Sequence, residues 1–304
     1  METIRVQVPA TSANCGPGFD CLGLALSLYN VFSFSPNKDA LNYTYTFKGL
    51  GADLLVKESP ANNLIGQAML TLFTKAQQAP VYGHILVDTH IPPARGLGSS
   101  STAIVAGLLL ANALLVKPFS MDVLLEVATE IEGHPDNVAP ALLGDLVCAL
   151  VDKGRLLHTS IAVPKDLYFA LVVPDVLVST EYARSVLPSM IKRTEAVANV
   201  SRTALFVTAM MQNKTDYLQT AMQDYLHVPY RKTLIPHCEA AFTAALQEGS
   251  YGVTISGSGS TLIAYTNKEK AETVAEAMKA IFLSHDIKAE TLVLQAAHGG
   301  ASYL

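Results

Sequence analysis

Residues Ile91 to Gly107 read "IPPARGLGSSSTAIVAG". Two prolines lead into Gly96 and Gly98, then Ser99-Ser100-Ser101-Thr102, then an apolar run. The segment just before it, "HILVDTHI", alternates like a strand, so the stretch joins a strand to a helix beginning near Ser99. Backbone N–H groups at a helix start have no partner within the helix, and the helix dipole adds positive charge there. Such a junction suits an anion, and glycine lets the backbone come close to it. The serine and threonine hydroxyls add donors to phosphate, or oxygen ligands for Mg²⁺. A flexible turn capped by serine would use the same letters. The position between a strand and a very apolar helix favours the anion.

The better-known phosphate loops do not fit. A Walker A loop ends in G-K-[ST], and Ser99 to Ser101 contain no lysine. A dinucleotide loop, G-x-G-x-x-G, would need glycine where Ser101 stands. The protein-kinase HRD and DFG sequences are absent. "SMIK" (Ser189–Lys192) matches S-x-x-K without the accompanying S-D-N or K-T-G, which reads as chance.

Composition bounds the rest. Of 304 residues, 50% are hydrophobic and 15% charged, as in a globular enzyme of one large or two ordinary domains. A net charge of −5 with no Lys/Arg run excludes a nucleic-acid partner. Cys15, Cys21, Cys148 and Cys238 form no CxxC pair and no zinc spacing, so they read as reduced thiols of a cytoplasmic protein. The apolar run Ala103–Val116 falls short of the roughly 20 residues a membrane span needs, so it reads as a core helix and no membrane is expected.

Outward from the loop, residues 2–8 alternate as a strand and "PATSANCGPGFDCLG" breaks the pattern as a shaped loop. Strands are expected over 24–34 and 41–47, and a helix opens at Asn62 or Asn63. "MDVLLEVATEIEG" reads as a helix, "HPDNVAP" as a turn, and 145–163 as a strand pair around Lys153-Gly154. The second half runs strand ("LYFALVVP"), helices, a hairpin around "GSGS", an amphipathic helix and a closing strand, the ferredoxin-like order. A domain boundary is expected near 155–166.

Three further groups bear chemistry. Asn14 and Asp20 flank the turn Gly16-Pro17-Gly18, where a carboxylate beside an amide suits an amine or hydroxyl; ordinary turn chemistry uses the same residues. Glu130, Glu132, His134, Asp136 and Asn137 crowd one short segment, and a carboxylate near a phosphate loop suits Mg²⁺; a solvated helix end explains them equally. Arg184 and Arg231 are isolated positive charges of the type that holds a carboxylate bidentately, unless they are plain surface arginines.

Taken in order, "PATSANCGPGFD", "PPARGLGSSSTA" and "SGSGST" (Ser256–Thr261) resemble the GHMP superfamily of small-molecule kinases, which act on galactose, homoserine, mevalonate and phosphomevalonate. The resemblance runs along essentially the whole chain. Within the superfamily, "PATSAN-x-GPGFD" and "HPDNVAP" are most similar to members acting on homoserine. It implies an α+β, two-domain fold: residues 1–160 like the second domain of ribosomal protein S5, carrying ATP, and residues 161–304 ferredoxin-like. It implies that Pro92, Pro93, Ala94, Arg95, Gly96, Leu97, Gly98, Ser99, Ser100 and Ser101 wrap the ATP phosphates, with Asn63 near the adenine. Ser100 and Glu130 would hold Mg²⁺, with Glu126 as the fallback. Asn14, Asp20, His134 and Asn137 would surround the acceptor's amino-alcohol end. Arg184 and Arg231, with Thr180, would clamp its carboxylate, and Gly257 and Gly259 would close the cleft. Asn137, Asn14, Ser100 and Glu130 would carry catalysis without a dedicated base. Family habit implies a homodimer.

The sequence departs from the family pattern at Cys15, where an apolar residue is usual, at Ser101-Thr102, where an alanine pair is commoner, and at Ser260, where proline is usual. None removes a charge. Two rivals stay open: another kinase of the superfamily, acting on mevalonate or diphosphocytidyl-methylerythritol, and a non-catalytic nucleotide or metabolite sensor on the same fold.

Overall fold

The structure is a computed structural model that describes residues 2–56 and 59–304. Its first half is built on one sheet. The strands are β1 (Ile4–Ala13), β2 (Leu22–Pro36), β3 (Thr44–Gly49), β4 (Gly83–Thr89), β5 (Leu146–Asp152) and β6 (Arg155–Ile161). Between them come α1 (Ala52–Leu55), α2 (Leu64–Lys75), α3 (Ser99–Asn112), α4 (Met121–Glu132) and α5 (Pro135–Leu143).

β1 is longer than its alternating part. It runs on through "PATSA", antiparallel to β2, with a register shift between Pro9 and Ala10. Proline has no N–H to give a ladder, so a bulge is where a strand tolerates it. Beyond the bulge Thr11 and Ser12 are buried, so hydrophobic alternation ends while the strand continues. The expected loop therefore starts at Asn14, not at Pro9.

α3 has apolar residues all round because it is enclosed by α2, α4, α5 and β1. A side chain at Gly107 would overlap the Ile65 carbonyl of α2, so this close helix crossing requires glycine. α4 is capped by the Ser120 hydroxyl and ends at Gly133 in the left-handed region, φ 89°. The segment expected as a turn, "HPDNVAP", is helical instead. Pro135 occupies the first turn of α5, where a missing N–H costs nothing. Pro140 sits inside α5.

The second half holds β7 (Tyr168–Pro174), α6 (Thr180–Ser185), α7 (Arg193–Met211), α8 (Leu218–Ala221), α9 (Val228–Arg231) and α10 (Cys238–Gln247). Then follow β8 (Gly252–Ile255), β9 (Leu262–Thr266), α11 (Lys268–Leu283), β10 (Ala289–Leu294) and β11 (Ser302–Tyr303). The sheet order β10-β7-β9-β8 is antiparallel throughout and is the ferredoxin-like arrangement. α10 and α11 cover one face through Ala241, Ala245, Val274 and Phe282. On the other face Phe169, Phe206 and Tyr265 share one apolar cluster with Leu22, Leu24, Ile91 and Leu97 of the first half. The chain then turns back: β11 pairs with β1, so the last residues complete the first sheet. Among the described residues no helix is long and apolar enough to cross a membrane.

Candidate active site

Three turns, far apart in sequence, meet where the two sheets face each other. Thr11 N–H donates to the Leu97 carbonyl at 3.1 Å, Gly257 N–H to Ala13 at 3.2 Å and Thr261 N–H to Arg95 at 3.2 Å. The Ser256 hydroxyl is shared between the Gly96 carbonyl at 2.6 Å and Ser12 Oγ at 2.9 Å. Gly96 has φ 74°, and a Cβ there would overlap the Ser256 carbonyl. The contact between the two glycine turns thus requires that Gly96 carry no side chain, which neither sequence segment shows alone.

These turns line a cavity of about 420 Å³, a volume ordinary for a small-molecule site. One part of its wall is apolar: Phe32, Phe47, Leu55, Leu64, Ile65 and Val87. Asn63 lies among them, its side chain capping α2 by accepting from Ile65 N–H at 3.0 Å. The loop from Pro93 to Ser100 forms the middle, ending at the N-terminus of α3. Pro92 and Ser101 do not line the cavity. Ser101 is buried behind the loop and donates to Glu132 Oε1 at 2.9 Å.

That contact places Glu132, rather than the expected Glu130 or Glu126, beside the loop. Glu130 and Glu126 share an exposed face of α4, and neither reaches the cavity. Glu132, two residues and about 200° further round the helix, does line it. The carboxylates on the wall, among the described residues, are Asp20, Glu132 and Asp136. Burial raises the Glu132 carboxyl above its ordinary range, and the Ser101 hydrogen bond and the His134 charge only partly offset this. A desolvated carboxylate beside an anion loop fits a hard divalent cation. Asp20, His134 and Asp136 also present their ligand atoms within 4.8 Å of one another. Arg184 occupies both oxygens of Asp20 and would repel a cation there.

The far part of the cavity is built from charge. Arg184, on α6, makes a two-bonded pair with Asp20, Nη1 to Oδ2 at 2.9 Å and Nη2 to Oδ1 at 2.7 Å. Arg231, on α9, is 2% exposed. Its Nε donates to the Ala183 carbonyl at 3.1 Å and Nη1 to Gly257 at 3.0 Å. Burial, then the neighbouring Arg184 charge, lowers its pKa to about 10, so it stays protonated at neutral pH. Among the described residues its Nη2 has no hydrogen-bond partner. Thr180, Ser179 and Val178 complete this wall. His134 Nδ1 is hydrogen-bonded to Asp136 Oδ1. Burial alone would lower the His134 pKa, but the Asp136 bond and the Asp136 and Glu132 charges outweigh it and raise it.

Asn14 and Asn137 differ in what they have left to offer. Asn14 lines the cavity at φ 73°, but its amide donates to Gly257 O at 3.1 Å and its oxygen accepts from Asp20 N–H at 3.1 Å. It braces the acceptor turn. Asn137 accepts from the Thr11 hydroxyl at 2.8 Å through Oδ1, which leaves its NH₂ for the cavity. Gly257 lines the wall, while Gly259 lies behind it against Ile235.

Sequence reading misses the apolar wall, because Phe32 and Val87 look like any core strand residues. It also misses Asn30, whose Oδ1 accepts from His90 and Ile91 N–H at 2.8 and 3.0 Å and so fixes the entry to the loop. The departures from the family pattern find partners. Ser101 holds Glu132, Thr102 accepts from Asn30 Nδ2 at 3.2 Å, and Ser260 donates to the Val176 carbonyl at 2.5 Å. Cys15 is buried, with Sγ 3.4 Å from the Ser12 carbonyl.

The two sheets, the anion loop and the charged cavity between them define a small-molecule kinase. The model of the GHMP kinases N terminal domain matches residues 63–145 and that of the GHMP kinases C terminal matches 206–283; the chain belongs to the GHMP kinase family. Family membership brings ATP as co-substrate. More particularly, the chain is 42% identical over 300 residues to the homoserine kinase of Synechococcus sp., covering 98% of this chain and 96% of that protein. It is 41% identical to the homoserine kinase of Carboxydothermus hydrogenoformans, covering 98% and 96%. The crystal structure of homoserine kinase from Cytophaga hutchinsonii superposes with a TM-score of 0.90 at 30% identity, covering 100% of this chain and 98% of that one.

Proposed function

We propose that this protein is a homoserine kinase: it transfers the γ-phosphoryl of ATP to the side-chain hydroxyl of L-homoserine, giving O-phospho-L-homoserine and ADP. That product feeds threonine synthesis. The full-length likeness to homoserine kinases supports this reading. The observation that carries it is the charge pattern of the cavity. A carboxylate (Asp20) and two guanidinium groups (Arg184, Arg231) face one space beside an anion loop, which matches an amino-acid zwitterion whose hydroxyl points at a phosphate.

In this reading Asp20 takes the acceptor's ammonium group, and Arg184 and Arg231 take its carboxylate, with Thr180 assisting. The Asp20–Arg184 pair brings the two opposite charges of the acceptor's receiving groups side by side. The adenine lies against the apolar wall and Asn63. Pro93 to Ser100 hold the phosphates with backbone N–H groups and the α3 dipole. Glu132 and Ser100 would hold Mg²⁺, which would supply neutralisation of phosphate charge. Asn137 NH₂ orients the acceptor hydroxyl. Phosphoryl transfer has a loose transition state, so positioning and charge neutralisation supply most of the rate and no dedicated base is invoked. Asp136 is already held by His134, consistent with that assignment.

The same reading divides the chain into an ATP-binding unit, 1–160, and a ferredoxin-like unit, 161–304, and makes the enzyme a cytoplasmic homodimer. A molar mass of one chain by light scattering would remove the dimer. ADP release, coupled to a spectrophotometric readout, with L-homoserine, mevalonate, shikimate or no acceptor tests the function. Turnover with homoserine alone is expected. Preference for mevalonate would move the protein to another GHMP kinase, and no turnover at all would make it a sensor.

A further inference from the structure

The two arginines of the acceptor end present a problem in electrostatics. They repel each other, and Arg231 is almost fully removed from water. Among the described residues the Asp20 carboxylate is hydrogen-bonded to Arg184 and not to Arg231. The Asp20, Asp136 and Asp224 charges help to keep the Arg231 guanidinium ionised, and two carbonyls and one aromatic ring lie against it and orient it. That ring is Phe19, the residue before Asp20. Its centroid lies 5.1 Å from Arg231 Cζ and 5.5 Å from Arg184 Cζ. A phenyl face carries negative quadrupole density and attracts a cation, most strongly where water is excluded.

The ring is itself held in place. The imidazole of His227 stacks on it, centroids 5.3 Å apart and planes 27° from parallel. His227 is fully buried and starts α9, which carries Arg231. Its Nε2–H donates to the Gly16 carbonyl at 2.8 Å, in the same turn as Phe19. The Asp224 carboxylate accepts the His227 and Val228 N–H groups, both at 2.7 Å, and so fixes the α9 start. Burial keeps the imidazole neutral at neutral pH. The turn bearing Phe19 and Asp20 and the helix bearing Arg231 are thereby tied together through one histidine.

The geometry points to Phe19 as a positioning residue for acceptor specificity: its ring, set by His227, holds the Arg184 and Arg231 guanidinium groups at the spacing that receives the acceptor carboxylate. This rests on the reading of those arginines as the carboxylate clamp. Neither Phe19 nor His227 lines the cavity beside the 93–100 loop, so loss of the ring should be felt in acceptor binding and not in ATP binding.

The test removes the ring's charge distribution without removing its shape. Phe19 is exchanged for phenylalanines with one, three and five ring fluorines, which drain the negative face stepwise. Phe19→Met (similar bulk, no ring) and Phe19→Tyr (ring restored) complete the series. The expected result is a KM for homoserine that climbs with each fluorination to about ten-fold, an effect of the size of a desolvated cation–π contact. KM for ATP stays fixed, Phe19→Met matches the pentafluoro protein, and Phe19→Tyr lies near wild type. A KM for homoserine flat across the fluorine series, or one that moves together with KM for ATP, would overturn the inference. The fluorinated proteins keep the side-chain shape, so they report even if Phe19→Met does not fold. A wild-type protein inactive on homoserine would instead remove the functional reading itself, which separates the two failures.

Discussion

In the proposed reading, the two ends of the cavity bind charge by opposite means. The phosphate end uses main chain: glycines at positive φ, N–H groups at the α3 start, and hydroxyls on the same short segment. The acceptor end uses ionised side chains drawn from the β1–β2 turn, α6 and α9, over 200 residues apart, held by buried hydrogen bonds. A main-chain site recognises any phosphate and depends on backbone shape. A side-chain site recognises one arrangement of charges and fails by single substitutions. Each end should therefore break in its own way.

The largest effect is expected at the seam between the ends. Glu132→Gln should lower kcat by roughly 10²–10³, the size of losing one group that acts on transition-state charge, while Glu130→Gln stays near wild type. Steady-state rates across a Mg²⁺ titration check this, and a normal Glu132→Gln rate would return the metal to another carboxylate. At the acceptor end, Arg231→Ala should raise KM for homoserine on the order of 10²-fold, as when one member of a buried, hydrogen-bonded charge set is removed. KM for ATP should hold. Equal changes in both constants would mean that Arg231 supports the fold rather than the clamp.

At the phosphate end, Gly96→Ala places a Cβ against the Ser256 carbonyl in a left-handed backbone. The cost should be about 1–3 kcal/mol of stability, read by denaturant unfolding, with KM for ATP rising and homoserine binding less affected. Smallest is a chemical contrast outside the site. Cys148 and Cys21 have their sulfurs 3.5 Å apart, and the Cys21 thiol donating to Cys148 lowers the Cys148 pKa to about 7. Burial pushes Cys15 and Cys238 up to about 12. Iodoacetamide should therefore label Cys148 first and leave Cys15 and Cys238 unmodified, as peptide mass spectrometry would show.

The contrast also explains what the sequence discloses. The main-chain end is legible because its residues are contiguous: glycines and serines between a strand and a helix already specify an anion loop. The ferredoxin-like half is legible because short apolar runs mark its strands, "GSGS" marks the hairpin, and the helix before the closing strand is amphipathic. The acceptor end is legible only through the family resemblance, since Asp20, Arg184 and Arg231 have no local pattern in common. Glu132 was obscured by two neighbouring glutamates, and only the direction in which α4 faces separates it from Glu130. "HPDNVAP" resembles a turn because prolines usually break helices, yet Pro135 at a first turn begins one. The continuation of β1 through "ATSA" was hidden because polar side chains there are buried by partners from other elements, such as Asn137 of α5 and Ser256.

The central claim is that the acceptor end reads the charges of an amino acid while the phosphate end does not. The most direct measurement is kcat/KM with L-homoserine set against L-homoserine carboxamide, which keeps the hydroxyl and the ammonium and lacks the carboxylate charge. The account predicts a loss of at least about 10²-fold with the amide, carried by KM for the acceptor and with KM for ATP unchanged. Equal kcat/KM for the two acceptors would contradict it.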